Sequence, residues 1–447
     1  MEHTMLKRRS LIKAMAATGF GGTLVAALPG CTLPKVPMLS EGSSVKARKS
    51  GEPAHVVVIG GGFGGASVAK YIKRFDKSVN VTVIEPKQTY MTCPGSNWYL
   101  AGLVNADFIT HDYSALRNKH GVSVIHSMVT KINAGAQQVT LKDGRVLDYD
   151  RLVVSPGIDF KYEEVPGYSA DVIDQIPHAY QAGPQTELLY KQLREMPQGG
   201  TFVMCPPGNP FRCPPGPYER VSMVADFFKR ENPTAKIVIL DAKEKFSKQG
   251  LFQEGWAQLY GDMIEWIPAS SGGKVKKIDA ATKTVYTEFG EYKADVLNVI
   301  PPQKAGKIAF AAGLTNDKGW CPVNQQTFES KIHPNIHVIG DSSIAGKMPK
   351  SGHSAASQGK MCAAAIVSLL NGTTVPTAKN VNTCYSLVGA DYGISVAAVY
   401  QLQDGNIVGV KGAGGVSPMG ADAAFRLMEA KYADGWYKAI AMDLWHS

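Results

Sequence analysis

The chain has 447 residues, 44% of them hydrophobic and 19% charged, which is enough for a large core and more than one core usually organises, so two or three domains are expected. Its formal charge of +9 is concentrated at the start: residues 1–50 carry eight Lys or Arg against two Glu, which leaves only +3 for the remainder. No basic stripe interleaved with aromatics follows, which argues against a nucleic-acid partner, and no later segment is long and apolar enough for a transmembrane helix.

Residues 1–31 read as a targeting signal outside the fold. The stretch MLKRRSLIKAM carries the adjacent Arg8 and Arg9, and a mildly apolar, glycine-containing run from Ala14 to Leu28 follows. Twin arginines before a weak apolar run fit the bacterial Tat route, so a periplasmic protein is expected. LPGC ending at Cys31 resembles a lipoprotein box and would anchor the chain to a membrane by lipid; ordinary cleavage nearby is the alternative. Residues 32–52, rich in Pro, Ser and charge, read as a solvated linker.

At residue 55 HVVVIGGGFGGASVAKYIKRF begins, an apolar strand running into a glycine turn and an amphipathic helix. Gly60, Gly62 and Gly65 form G-x-G-x-x-G, and the next strand, VNVTVIEP, ends in Glu85, where a carboxylate can meet ribose hydroxyls. A third piece, YDRLVVSPGIDF, leads a strand into Ser155, Pro156 and Gly157; a fourth, NIHVIGDSS, delivers Gly340 and Asp341. The two resemble the motifs that flavin disulfide-reductase-like proteins use at the edge of the FAD domain and against the FAD ribityl and pyrophosphate oxygens. Together the four pieces point to FAD. Between them a second frame, GGTFVMCPPGNPFRCPPGPYERVSMVADFFK followed by AKIVILD, ends in Asp241, but its proline-rich loop lacks the glycine spacing and the backbone N–H groups that a pyridine nucleotide needs.

The expected fold class is therefore α/β, with two Rossmann-like dinucleotide-binding domains and a C-terminal α+β region. A discontinuous FAD domain takes residues 53–160 and 300–375, the degenerate second domain 161–299, and the C-terminal region 376–447.

Seven cysteines remain: Cys31, Cys93, Cys205, Cys213, Cys321, Cys362 and Cys384. No C-x-x-C-H is present for a c-type haem, so any haem belongs to a partner, and no metal-ligand spacing appears. The segments QTYMTCPGSNWY, FRCPPGPYER, GWCPV, MPKSGHSA, NVNTCYSLVGADYGISVAAVY and GWYK resemble those of the flavoprotein subunit of flavocytochrome c sulfide dehydrogenase, over nearly the whole chain from about residue 54.

That resemblance implies that Cys93 binds the flavin 8α carbon as a thioether, although Pro94 and Gly95 depart from the bulkier residues of the family pattern. It implies that Cys213 and Cys384 form a redox-active disulfide beside the flavin, with a purely structural bridge as the alternative and Cys205 and Cys321 as rival partners. Glu219 matches a family carboxylate acting as general base; the competing reading pairs it with Arg220. Trp436 matches an aromatic residue near the flavin. Lys350 is placed as a cation near the flavin pyrimidine ring, or else as a surface lysine; His353 is assigned no role. The implied activity oxidises sulfide to sulfur or polysulfide and passes electrons to a c-type cytochrome subunit or a soluble cytochrome c. The alternatives are a sulfide:quinone oxidoreductase, a non-catalytic electron-transfer flavoprotein and a periplasmic thiol–disulfide protein.

Overall fold

The computed structural model describes residues 52–447 apart from Ala378; the expected export signal, nearly all of the linker and Cys31 lie outside the described residues. The elements that build the sites begin with β1 (His55–Ile59), α1 (Phe63–Phe75) and β2 (Asn80–Ile84). A short helix α2 (Ser96–Leu100), β3 (Ser123–Ile125) and β4 (Arg151–Val154) follow. The middle of the chain supplies β5 (Thr201–Cys205), α3 (Gly216–Glu231), β6 (Lys236–Leu240), α4 (Gln249–Tyr260), β7 (Ile264–Ile267) and β8 (Val296–Val299). After β9 (Ile336–Val338) and α5 (Gly352–Leu370) come β10 (Asn380–Gly389), β11 (Tyr392–Gln403), β12 (Asn406–Val416) and α6 (Ala423–Ala441).

Two parallel sheets result. The first runs β9-β4-β1-β2-β3 and the second β7-β6-β5-β8. Their strands are near-continuous apolar runs such as HVVVI and KIVIL because a parallel sheet is covered on both faces and has no solvent side to mark with polar residues. The third sheet, β10-β11-β12, is antiparallel and packs against α6, so closely that a Cβ on Gly393 would lie 2.3 Å from the backbone nitrogen of Ala430.

The glycine turn after β1 makes the first crevice. Gly60 adopts φ +97°, which L side chains rarely tolerate, and a Cβ on Gly65 would sit 1.7 Å from the Gly60 carbonyl oxygen. The absent side chain lets α1 seat directly on the turn. No side chain caps α1 at Gly62, so its first-turn N–H groups have no side-chain acceptor there. Ser67 ties α1 to α5 by donating to the Ala356 carbonyl at 2.8 Å.

Strand β10 bridges the two parallel-sheet units. On one side Ser354 and Ser357 of α5 hydrogen-bond to Asn382 and Asn380, and Thr383 N–H donates to His353 Nδ1 at 2.7 Å. On the other, Leu387 N–H donates to Glu219 of α3 at 3.0 Å and Tyr260 of α4 donates to the Val388 carbonyl. Buried Arg426 of α6 adds an ion pair to Glu254 of α4 at 2.8 Å.

Gly65→Ala is expected to cost about 1–3 kcal/mol or more through overpacking and to reduce flavin retention, read as a lower Tm and a lower flavin-to-protein absorbance ratio.

Candidate active site

Two cavities meet at the centre of the molecule. The larger, about 430 Å³, opens at the carboxyl ends of the first sheet and is lined by Gly60, Gly62, Glu85, Ser155, Pro156, Gly157, Gly340 and Asp341. The smaller, about 70 Å³, is lined by Cys213, Cys384, Glu219, Tyr180, His353 and Trp436 among others. Cys93, Pro94, Arg212 and Gly352 border both.

The larger cavity suits a dinucleotide on its own geometry. The N-terminus of α1 faces it, which favours phosphate charge. Glu85 stands at the end of β2, where Oε2 accepts from Gly61 N–H at 2.9 Å and Oε1 from Lys87 N–H at 3.1 Å. Asp341 is buried, and its Oδ1 has no hydrogen-bond partner within the protein, which is an open demand for a donor in a place where such groups are normally satisfied. Burial raises the Asp341 carboxyl, while Arg212 and Lys350 oppose that rise. Gly65 does not line the cavity; its part is the close packing of α1 on the turn.

In the smaller cavity Cys213, from the middle of the chain, and Cys384, from its C-terminal region, are brought side by side, near enough for a thiol–thiol hydrogen bond to shift both. Cys213 occupies the turn before α3 with φ +52°, a left-handed conformation unusual for a residue with a side chain. It is held there by its N–H donating to the Lys350 carbonyl at 2.7 Å and by its carbonyl accepting from Tyr180 Oη at 2.9 Å and Gly216 N–H at 2.7 Å. Such a conformation costs of order 1–3 kcal/mol and here sets the direction of the sulfur. Cys384 lies in the middle of β10.

The pair is electrostatically uneven. The hydrogen bond that Cys213 gives to Cys384 raises the Cys213 thiol, and burial raises it further. The same bond lowers Cys384, and Lys248 lowers it again against the opposing effect of burial. Half-buried Lys248 precedes α4 and donates to the Cys384 carbonyl at 3.3 Å and to Ser386 Oγ at 2.8 Å. The sulfur of Cys384 is therefore the one better able to carry negative charge.

Glu219, in the first turn of α3, forms the wall beside the pair. Burial raises its carboxyl above the ordinary range, against the opposing effect of Leu387 N–H at 3.0 Å, Trp98 Nε1 at 3.1 Å and Asn97 Nδ2 at 3.1 Å. Arg220 does not pair with it. Its guanidinium turns to Asn97 Oδ1 at 3.1 Å, Asn298 Oδ1 at 2.9 Å and the carbonyls of His178 and Ala179, as expected when adjacent helical residues face different neighbours.

Cys93 stands where the cavities meet, with Arg212 Nη2 3.1 Å from its sulfur. Trp436 lines the smaller cavity, edge-on to His353 at 5.9 Å, and its Nε1 has no partner within the protein. Lys350 borders neither cavity. Its Nζ donates to the Asp341 and Ser343 carbonyls at 2.7 and 3.0 Å and lies 3.8 Å from the Trp320 ring centre, and burial lowers it to about 8. It is thus neither a surface lysine nor part of the cavity wall. Cys205 in β5 and Cys321 are buried thiols outside the smaller cavity; burial pushes Cys321 up to about 12 and raises Cys205 as well. Among the described residues there is no disulfide and no cluster that could hold a metal.

The second sheet keeps the nucleotide-binding outline without a usable ribose acceptor. Asp241, at the end of β6, is fully buried and accepts from Tyr218 Oη at 2.5 Å, Trp266 Nε1 at 3.0 Å and Lys243 Nζ at 2.7 Å. Tyr218 stacks on Phe246 with ring centres 3.6 Å apart. Protein side chains already satisfy the acid that a nucleotide ribose would use.

Two parallel sheets, a glycine crevice and a cysteine pair between them define an oxidoreductase of the pyridine nucleotide–disulphide oxidoreductase fold, and a model of that family matches residues 54–188. The models for the central part of the sulfide dehydrogenase [flavocytochrome c] flavoprotein chain and for the flavin-binding part of flavocytochrome c sulphide dehydrogenase match residues 186–301 and 376–445. The flavoprotein chain of that enzyme from Chlorobaculum thiosulfatiphilum is 62% identical over 42 residues, 9% of this chain and 88% of that sequence. The chain belongs to the family of flavocytochrome c sulfide dehydrogenase flavoprotein chains, and FAD is the flavin its crevice fits.

More distant similarity extends to the mitochondrial sulfide:quinone oxidoreductase of Mus musculus, 23% identical over 64% of this chain and 65% of that one. The chain thus spans just under two thirds of that relative's length. The sulfide:quinone oxidoreductase structure from Aquifex aeolicus superposes with a TM-score of 0.64 at 18% identity, covering 86% of this chain and 90% of that one. That likeness concerns the fold.

Mixing the oxidised flavoprotein with NADH is expected to leave the flavin absorbance unchanged, since Asp241 has no acceptor capacity to offer; rapid bleaching by NADH would contradict this account of the second sheet.

Proposed function

We propose that this chain is a sulfide dehydrogenase that oxidises sulfide to sulfur or polysulfide through a Cys213–Cys384 disulfide and delivers electrons, by way of FAD, to a c-type cytochrome. The observation that carries the reading is the contact between the two thiols in a cavity whose wall is shared, at Cys93 and Arg212, with the dinucleotide crevice.

The residues divide the work as follows. Hydrosulfide attacks one sulfur of the bridge, which keeps the incoming atom as a persulfide, and the electron pair of the broken S–S bond leaves on the other as a thiolate. Lys248 and the hydrogen bond within the pair favour charge on Cys384. Glu219, raised by burial, takes the proton that hydrogen sulfide must lose. Gly60, Gly62, Glu85 and Asp341 would hold the dinucleotide portion of FAD, and Cys93 would fix its ring by a thioether. Bound there, FAD would supply the conversion of one electron pair into two single electrons. The small volume around the sulfurs limits the water that could compete for the persulfide. The compartment proposed from the sequence is the periplasm, with lipid anchoring through Cys31 as a variant of the same reading.

Anaerobic addition of sulfide is expected to bleach the flavin and then reduce added cytochrome c. Cys213→Ser and Cys384→Ser should abolish bleaching while keeping the oxidised flavin spectrum. Reduction of a soluble quinone without reduction of cytochrome c would shift the assignment to a quinone reductase.

Glu219→Gln is expected to slow bleaching by about 10²–10⁴-fold. A raised carboxyl is protonated, and idle as a base, to a higher pH than an ordinary one. The wild-type rate should therefore climb with pH through a midpoint above 4.5, the ordinary glutamate value. The variant should lose that limb in stopped-flow traces. For Cys93→Ala, acid precipitation should release all of the flavin into the supernatant.

A further inference from the structure

Cys93 is half-buried, and forming a thioether from it requires the sulfur to act as a nucleophile, which a thiolate does and a thiol does not. A positive donor beside the sulfur favours that form. The sulfur donates to the Tyr180 carbonyl at 3.7 Å, and the described side chains whose charge reaches it are Tyr90, Tyr180, Arg212 and Arg220, with Asp341 behind Arg212. Only Arg212 places a charged donor directly on it, with Nη2 3.1 Å from Sγ.

The main chain of Arg212 is held by its N–H donating to Gln303 Oε1 at 2.8 Å and its carbonyl accepting from Tyr180 Oη at 2.8 Å, and the guanidinium Nη1 lies 3.8 Å from Asp341 Oδ2. The side chain is largely enclosed, 13% exposed, so solvent screens its charge weakly. An arginine also stays protonated through any pH the protein survives, and therefore serves as a permanent counter-charge rather than as a base.

We infer that Arg212 is the residue that activates Cys93 for covalent attachment of the flavin, by stabilising the thiolate that attacks the 8α carbon. The inference rests on the reading above, that Cys93 carries the thioether. In the step, the S–H bond and one C–H bond of the 8α-methyl group break and a C–S bond forms. Two protons pass to water. The electron pair remains in the ring system until dioxygen or the enzyme's own electron acceptor removes it. Once sulfur is alkylated it has no charge, and Arg212 is left with Asp341 as its anionic neighbour. Arg212 thus acts in maturation of the enzyme, a task separate from turnover of sulfide.

The test uses full-length protein from riboflavin-starved cells, incubated with FAD, denatured in acid and run on a denaturing gel viewed by flavin fluorescence. Wild type is expected to acquire acid-stable flavin at neutral pH. Arg212→Met should bind flavin that acid releases and attach it at least about tenfold more slowly. Arg212→Lys, which retains the charge, should attach flavin faster than Arg212→Met. Attachment by Arg212→Met at the wild-type rate would overturn the inference.

Alkylation of Cys93 by iodoacetamide in the flavin-free chain, quantified by peptide mass spectrometry, decides the matter independently of flavin binding. Arg212→Met should react at least about tenfold more slowly at neutral pH, and equal rates in wild type and variant overturn the proposal. Absence of acid-stable flavin in wild type would instead refute the thioether at Cys93, while the alkylation rates would still report on Arg212.

Discussion

The contact between Cys213 and Cys384 is the constraint around which the rest of this molecule is arranged. The two sulfurs are separated by most of the second sheet and by the return to the first, and each is delivered by a different device. Cys213 is turned inward by a left-handed backbone held by the Lys350 carbonyl and Tyr180. Cys384 rides on β10, pinned to α5 by Asn380 and Asn382 and to α3 and α4 by Leu387 and Val388. A shift of either unit relative to the other would be felt first at this point. Structure elsewhere serves to keep two atoms in reach of each other and of the dinucleotide crevice.

The charges around that contact form a connected set. Lys248 faces Cys384, Glu219 is wedged between Leu387, Trp98 and Asn97, and Arg212 joins Cys93 to Asp341. Each of these groups is largely enclosed and has an opposite charge or several donors beside it, which is the condition under which charge persists in an interior. Burial and pairing pull in opposite directions at nearly every one of these positions, and the balance differs between Cys213 and Cys384 although they touch.

What the sequence disclosed follows from how local each feature is. The crevice was legible because strand, glycine turn, helix, strand and acid lie within one continuous stretch from His55 to Glu85, and the steric needs of Gly60 and Gly65 are properties of the turn itself. The α/β class was legible from the apolar parallel strands. The nearness of Cys213 to Cys384 came from family resemblance, since no spacing rule connects positions 171 residues apart (384 − 213). Arg212, Lys248 and Tyr180 escaped notice because their importance arises only when separate elements converge. Arg212 was nonetheless in plain view as the neighbour of Cys213 in FRCPPGPYER. Lys350 was singled out because it follows the strand that delivers Asp341; which groups its ammonium meets, two carbonyls and the Trp320 face, depends on the fold. The proline-rich turn was legible as a departure from the glycine spacing, but the occupation of Asp241 by Tyr218, Trp266 and Lys243 depends on side chains from three separate segments.

The dimensions of the sulfur cavity carry a consequence for selectivity. At about 70 Å³ it has room for little more than a couple of water-sized species. Two of its wall residues are tied to the segments that carry the cysteines, Tyr180 through the Cys213 carbonyl and His353 through the Thr383 N–H. On the proposed function, hydrosulfide would fit that space whole, whereas a glutathione-sized thiol would bring in little more than its sulfur. Such a preference would follow from size alone, with no recognition group tuned to the substrate.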